Sequence, residues 1–372
     1  MKIIVLGGAG DMGSRAVEEL AIAEGIDQVT VADRNLKTAR QIAARLRDTK
    51  ARVDVKYIDA NDHGGLVEAM RNYDVAASAL GPFYLFESKL VGAAVEAGVN
   101  YTSICDDWLA ADEVISQFFE RARSKGVTVI TGLGASPGIS NVGIRYYAQQ
   151  MERLRKVDIY VYQPLNAGGG EAVMEHMLFI MSGNVVVWRE GKRTMIPALH
   201  EERLVEFPRF GHVRVWNMGH SEPVTLPRFI SGIDEVNFFM GFGPGSNWLV
   251  LPAKLGLFDG RWRRKVVTKL LSSLQHLGKA QEPEWGAVRV DAWGERSGKE
   301  VHEMACGIGQ MRESTGISLA VGTLMLARGE ITTEAGGVYG PEACLDPVKF
   351  LTSLKERGVT AYYDLEMTRP VV

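Results

Sequence analysis

An α/β fold is predicted, with an N-terminal doubly wound parallel sheet followed by a second α+β domain built on a mixed, largely antiparallel sheet. Three observations predict it. Short apolar runs alternate with amphipathic helical stripes through residue 131. A glycine cluster, Gly7, Gly8, Gly10 and Gly13, lies between the first apolar run and the first helical stripe. Beyond a Gly/Ser/Pro-rich crossing at 132–141, the pattern changes to alternating strands with Gly/Pro turns. The expected division is 1–133, a dinucleotide-binding domain, and 134–345, a substrate and oligomerisation domain. A helix and strand at 346–372 are not assigned to either.

Residues 3–6 form a continuous apolar run, as in a strand buried on both faces of a parallel sheet. Ala16, Val17, Leu20 and Ala21 give the following helix its apolar face. A second strand, 28–32, ends in Asp33. Leu36, Ala39, Ile42, Ala43 and Leu46 then mark a helix, and 53–58 a third strand. Leu66, Val67, Ala69 and Met70 form the next helical stripe, before a strand over 74–80. Another unit follows: a helix over 85–97 with Ser88, Val91, Ala94 and Val95 as its apolar face, a strand at 101–104, a helix at 108–124 and a strand at 127–131.

Placed between a strand and a helix, Gly8-x-Gly10-x-x-Gly13 is a dinucleotide fingerprint. The first glycine permits a tight turn, the second lets a pyrophosphate approach the backbone, and the third allows close helix–strand packing. Helix N–H groups and the helix dipole then face the anion. Asp33 lies about twenty residues further on, where the fingerprint places its ribose-binding carboxylate. The strand breaks at Gly7–Gly13, Asp33, Asp59 and Ala79–Pro82 are expected to share one rim, as ligand sites do in open parallel sheets. The first domain is therefore read as a Rossmann domain.

In the second part, a helix is expected over 142–155, strands over 157–162, 185–189, 204–207, 213–217, 288–293 and 301–306, and helices near 171–182, 262–278 and 315–328. Residues 294–299 join the last two strands as a hairpin. The tail offers a helix over 347–358 and a strand over 359–363. Arg261, Arg263, Arg264, Lys265 and Lys269 cluster at the start of the 262–278 helix, and are read as a solvated face in preference to a membrane or partner surface.

The chain's 372 residues are 46% hydrophobic with a net charge of −3, which supplies no basic field for nucleic acid. No apolar run reaches the ~18–20 residues needed to span a bilayer, and the first strand is too short for a signal-peptide core. A cytoplasmic protein with no membrane partner is expected. Cys105, Cys306 and Cys344 are too widely spaced for a disulfide framework or a zinc site. With no HExxH pair and no GxSxG elbow, metal and serine chemistry have no support.

Several stretches together resemble the saccharopine dehydrogenase-like family, which includes saccharopine reductases, carboxynorspermidine dehydrogenases and lysine 6-dehydrogenases. They are the Gly7–Gly13 loop, Ala32-Asp33-Arg34, Ala79 to Phe83, Tyr101 to Asp107, Gly134 to Asn141 with its Ser-Pro-Gly-x-Ser-Asn run, and Gly337 to Glu342. The resemblance implies a nicotinamide enzyme acting at a carbon–nitrogen bond of an amino acid or amine, by hydride transfer to or from NAD(P). It places Gly8, Ala9, Gly10, Asp11, Met12 and Gly13 at the pyrophosphate, Asp33 and Arg34 at the adenosine ribose, and Asp59 and Ala60 at the adenine. Ala79, Leu80, Gly81 and Pro82 would lie under the nicotinamide ribose. Where relatives often carry Tyr-x-Asp, this chain has Tyr101-Thr102-Ser103, with acids at Asp106 and Asp107.

Asp33 favours NAD over NADP, since a 2′-phosphate at ~4 Å from a carboxylate costs about 4 kcal/mol in a surface cleft. Arg34 keeps NADP as the alternative. A homodimer working on an amine or amino acid is expected. Alternatives are reductive condensation of an amine with a semialdehyde, or a dinucleotide sensor without turnover.

Amine oxidation requires a group that takes a proton from the substrate nitrogen. Tyr101, Asp106 and His176 are the candidates for catalysis, and Asp107, Asn141, Glu171 and Arg228 for substrate binding. Arg228 suits a substrate carboxylate, or is an exposed charge; Asn141 suits substrate, or an N-cap. Glu171 and Glu175 share one helix face, to meet a substrate ammonium or only solvent. His176, His200, His212, His220, His276 and His302 are not told apart by sequence, though His212 and His220 bracket a strand as surface residues would.

Overall fold

The computed structural model describes residues 1–164, 170–243, 248–277 and 285–372, the side chains at 170–172 and 271–277 excepted. The chain forms two units, Met1–Val142 with Arg312–Val359, and Gly143–Met311 with Thr360–Val372.

Unit 1 opens with β1 (Lys2–Leu6), α1 (Asp11–Ile22), β2 (Gln28–Asp33), α2 (Leu36–Arg45), β3 (Arg52–Tyr57), α3 (His63–Met70) and β4 (Val75–Ser78). It continues through α4 (Phe83–Ala97), β5 (Asn100–Ser103), α5 (Trp108–Ser124) and β6 (Thr128–Thr131). Helix α6 (Ile139–Ala148) carries the chain over the boundary into unit 2.

Unit 2 holds β7 (Arg153–Tyr162), α7 (Gly170–Ile180), β8 (Asn184–Arg189), β9 (Lys192–Pro197), β10 (Glu202–Phe207) and β11 (Gly211–Asn217). After them come α8 (Glu222–Phe229), β12 (Glu235–Gly241), α9 (Val250–Lys254), α10 (Arg261–Leu277), β13 (Gly286–Arg296) and β14 (Lys299–Gly309). The chain then returns to unit 1 with α11 (Met311–Ala327), β15 (Gly337–Tyr339), α12 (Pro341–Cys344) and α13 (Pro347–Lys355).

The sheet of unit 1 is parallel, ordered β15-β6-β5-β4-β1-β2-β3. Ile3, Ile4, Val5 and Leu6 are fully buried, as a central strand covered on both faces requires. Registry makes the edge level: Leu6 pairs with Ala32 and with Ser78, Ser78 with Ser103, and Ser103 with Thr131. Gly7, Asp33, Ala79 and Ile104 therefore leave the sheet along one carboxyl-end rim. Asn35, Asp62 and Asp107 cap α2, α3 and α5, accepting from Thr38, Gly65 and Ala110 N–H at 3.2, 3.0 and 3.0 Å.

The linear division at 133/134 and 345/346 does not describe this return. β15 adds a strand beside β6, with Val338 opposite Val129, and α11 is buried from Thr315 to Leu326. Its small residues allow that approach: a Cβ on Gly322 would meet Leu133 at 2.6 Å, and one on Gly316 would meet Arg15 at 2.6 Å. Thr323 reaches Thr102 at 2.7 Å, and Arg15 reaches Glu313 at 2.6 Å.

Unit 2 carries a mixed sheet ordered β10-β11-β12-β7-β13-β14, with β8 on β12 and β9 on β8. Only β7–β12 is parallel among these pairs. The 142–155 helix is shorter than its pattern suggests, since α6 stops at Ala148 and β7 starts at Arg153. β12, buried from Val236 to Gly241, is an interior strand that alternation does not reveal. Residues 359–363 form no strand: Tyr362 makes single bridges to Cys306 and Pro370, while Asp364 ties down Thr368 and Arg369. No helix among the described residues is long and apolar enough to cross a membrane.

Candidate functional site

The glycine turn is shaped by its neighbours. Gly7 has φ +73°, and a Cβ there would lie 3.0 Å from Leu80 Cα and 3.1 Å from the Ala79 carbonyl. The turn is thereby seated against the end of β4. A Cβ on Gly8 would meet the Val5 carbonyl oxygen at 2.9 Å, and one on Gly13 the Gly7 oxygen at 2.2 Å. Gly10 is different. It is exposed, and the nearest atom to its Cβ position is Gly7 O, at an ordinary 3.4 Å. The protein itself leaves room for a side chain there, so the space that a glycine preserves is outside the protein. Gly10 also starts α1 without any side-chain cap, with Met12 and Gly13 buried and Asp11 exposed in the first turn.

Asp33 closes the second side. Its Oδ2 accepts from Ala9 N–H at 3.2 Å and its Oδ1 from Asn35 N–H at 2.8 Å, which fixes the carboxylate beside the turn. Arg34 is exposed next to it. Asp59 is exposed at the end of β3, held by Asn61 N–H at 2.9 Å, and Ala60 behind it is buried. Ala79, Leu80, Gly81 and Pro82 are half-buried between β4 and α4. All fourteen residues expected at a dinucleotide thus lie at the carboxyl ends of β1 to β4. The strand order reverses between β1 and β4, which is where an open α/β sheet leaves its crevice.

Beyond β4 the rim is backed by a buried polar cluster. Glu87 is fully buried on α4. It accepts from Ser103 Oγ at 2.5 Å, Tyr101 Oη at 3.0 Å and Thr131 Oγ1 at 3.2 Å. Desolvation pushes its carboxyl up to about 7 against these hydrogen bonds, with the charge of Asp107 adding to the rise. Burial and the neighbouring Glu87 carboxylate push the Tyr101 hydroxyl well above its ordinary range. Tyr101 is therefore an interior hydrogen-bond donor, and Glu87, not Ser88, occupies the buried stripe of α4. The signal in the sequence is spacing: 87, 90, 91 and 94 fall on one helix face.

Asp107 is fully buried as the α5 cap, and Asp106 beside it is half-buried. Asn141 is fully buried and donates from Nδ2 to Glu342 at 2.8 Å, while Ser140 Oγ lies 3.2 Å from its Oδ1. Two motifs two hundred residues apart, 134–141 and 337–342, meet in this contact. A Cβ on Gly138 (φ +122°) would strike Gly134 O at 2.1 Å, so this crossing folds back tightly on itself.

In unit 2 the histidines separate by surroundings. His176 is buried with its ring 6.3 Å from Phe179, and His200 and His212 are exposed. His302 is half-exposed, 2.7 Å from Asp291 Oδ1 and stacked on Trp293. His220 is no surface residue: it is buried, paired with the buried Glu222 and stacked on Phe238 at 3.8 Å. Arg228 is exposed in the last turn of α8. The side chains of Glu171 and His276 lie outside the described residues. No group of three potential metal ligands forms among the described residues.

Residues 3–130 match the saccharopine dehydrogenase NADP-binding domain. A carboxynorspermidine synthase from Vibrio cholerae is 24% identical over 260 residues, 63% of this chain and 62% of the relative's length. The chain thus spans less than two thirds of that relative. A carboxyaminopropylagmatine dehydrogenase from Synechocystis is 22% identical over 96% of both chains. In fold, the chain is similar to the apo saccharopine dehydrogenase (L-Glu forming) of Saccharomyces cerevisiae, with a TM-score of 0.70 and 14% identity over 96% of this chain and 98% of that one. Residues 3–130 are thus similar to the saccharopine dehydrogenase NADP-binding domain, on a chain whose fold is similar to that of saccharopine dehydrogenase.

Proposed function

We propose that the protein is an NAD(P)-dependent oxidoreductase that oxidises a C–N bond of an amino acid or amine, or reduces the corresponding imine. The observation that supports it most is the exposed Gly10 at an uncapped helix start, level with Asp33 and the Ala79–Pro82 strand end. These residues fit a dinucleotide: the α1 N-terminus for the pyrophosphate, Asp33 for the adenosine ribose, and the β4 end for the nicotinamide half. When bound, the cofactor supplies hydride acceptance and donation.

The chain's own residues must exclude water, orient the amine and move one proton. Asp106, half-buried past the end of β5, is assigned proton transfer. Tyr101 and Glu87 form a buried hydrogen-bonded pair in the same unit as Asp106. The relatives named for carboxynorspermidine and carboxyaminopropylagmatine support a carboxylated secondary amine as the substrate class, and with it the reductive condensation as the second reading.

Amines, amino acids and carboxylated polyamines supplied with NAD or NADP should change the reduced-nicotinamide absorbance for at least one donor. Saturable cofactor binding with no turnover in either direction would instead favour a sensor. Preference for NAD rests on Asp33, whose carboxylate is already fixed by Ala9 and Asn35. Removing it relieves repulsion of a 2′-phosphate, so Asp33→Ser should raise the NADP-to-NAD ratio of kcat/KM at least roughly tenfold. An unchanged ratio would contradict the role given to Asp33.

A further inference from the structure

Among its described side chains, helix α10 packs Val267 on the core and yet also turns large apolar groups outward. Arg264 (9% exposed) and Thr268 face inward, with the Arg264 guanidinium 5.0 Å from the Phe179 ring centroid. Trp262 (76% exposed), Val266 and Leu270, spaced four residues apart and hence along one face, point outward. Just upstream, Leu251 on α9 and Leu255 at its C-cap repeat that spacing and are also exposed. Large apolar side chains aligned this way on a water-facing surface mark a contact site.

Charge decides what covers it. Residues 248–270 contain six basic residues and one acid, Asp259, in a chain of net charge −3. Arg261, Arg263, Lys265 and Lys269 are exposed alongside the stripe, with Arg263 and Lys265 on opposite flanks. A twofold contact between identical copies would bring this cationic surface against itself. An anionic lipid surface satisfies both features, since the stripe enters the acyl boundary while the flanking cations remain among headgroups.

We propose that the α9–α10 face docks peripherally on anionic membranes. Flotation of the full chain with phosphatidylcholine vesicles, with and without phosphatidylserine, tests it. Binding is expected only with phosphatidylserine and should weaken with salt. Each lost cation is expected to weaken binding about fivefold, so Lys265→Glu/Lys269→Glu should lose at least roughly 25-fold. Trp262→Ser, which keeps the charge, should also bind less well, and both variants should keep the wild-type unfolding midpoint. Absent binding, equal binding to neutral vesicles, or variants that bind like wild type would overturn the proposal. So would a vesicle-free dimer that Trp262→Ser converts to monomer, which would assign the stripe to a second copy.

Discussion

Replacing Glu87 by Gln should remove a pH-dependent loss of stability from the folded protein. Glu87 has its carboxyl raised from the ordinary 4.5 to about 7 by burial. A carboxyl raised in this way holds its proton more tightly folded than unfolded. Its favourable contribution is complete below about pH 4.5 and is lost as pH rises through 7. Between pH 5 and 8 the wild type should lose about 2–3 kcal/mol through this group alone. Gln keeps an acceptor for Ser103 and Thr131, and the Tyr101 hydroxyl can turn to accept from its amide. Urea unfolding of both proteins across this range should show a shallower profile for Glu87→Gln, with the two curves converging or crossing near pH 8. Parallel profiles would mean that Glu87 stays ionised on its three hydroxyls. The same variant probes the rim, because α4 begins at Phe83, immediately after the Ala79–Pro82 strand end.

Glu87 also shows where sequence reading stops. The glycine turn, Asp33 and the strand ends are local features whose chemistry is carried by residue type and spacing, so their gathering on one rim could be read before any coordinates. Glu87 belongs to a helix with an ordinary apolar stripe, and only the hydroxyls of β5 and β6, brought in by sheet registry, explain how a carboxyl sits there. The pairing of Asn141 with Glu342 is similar: both motifs stand out in sequence, but their contact depends on the return of the chain to unit 1 through α11 and β15. The separation of His220 from the other histidines depends on Phe238 in β12, a continuously buried strand whose sequence gives no period to read.

The second large effect separates two glycines of one motif. Gly13→Ala forces a methyl to 2.2 Å from the Gly7 carbonyl oxygen and 3.0 Å from Gly8 Cα. Both contacts are backbone and cannot swing aside, so the turn itself must open, at a cost of about 3 kcal/mol or more of stability. Gly10→Ala meets nothing closer than 3.4 Å and should change stability by only about 0.5–1 kcal/mol, the difference between Gly and Ala at a helix start. Its methyl would stand instead in the space we propose for the pyrophosphate. Overpacking there by about 2–3 kcal/mol weakens cofactor binding roughly 100-fold.

Calorimetric titration of NAD and NADP into wild type and Gly10→Ala, with unfolding midpoints measured on the same samples, tests most directly that this turn holds the cofactor. Saturable binding by the wild type and roughly 100-fold weaker binding by a Gly10→Ala protein of nearly unchanged stability is the predicted result. Equal affinity in the two proteins would contradict it.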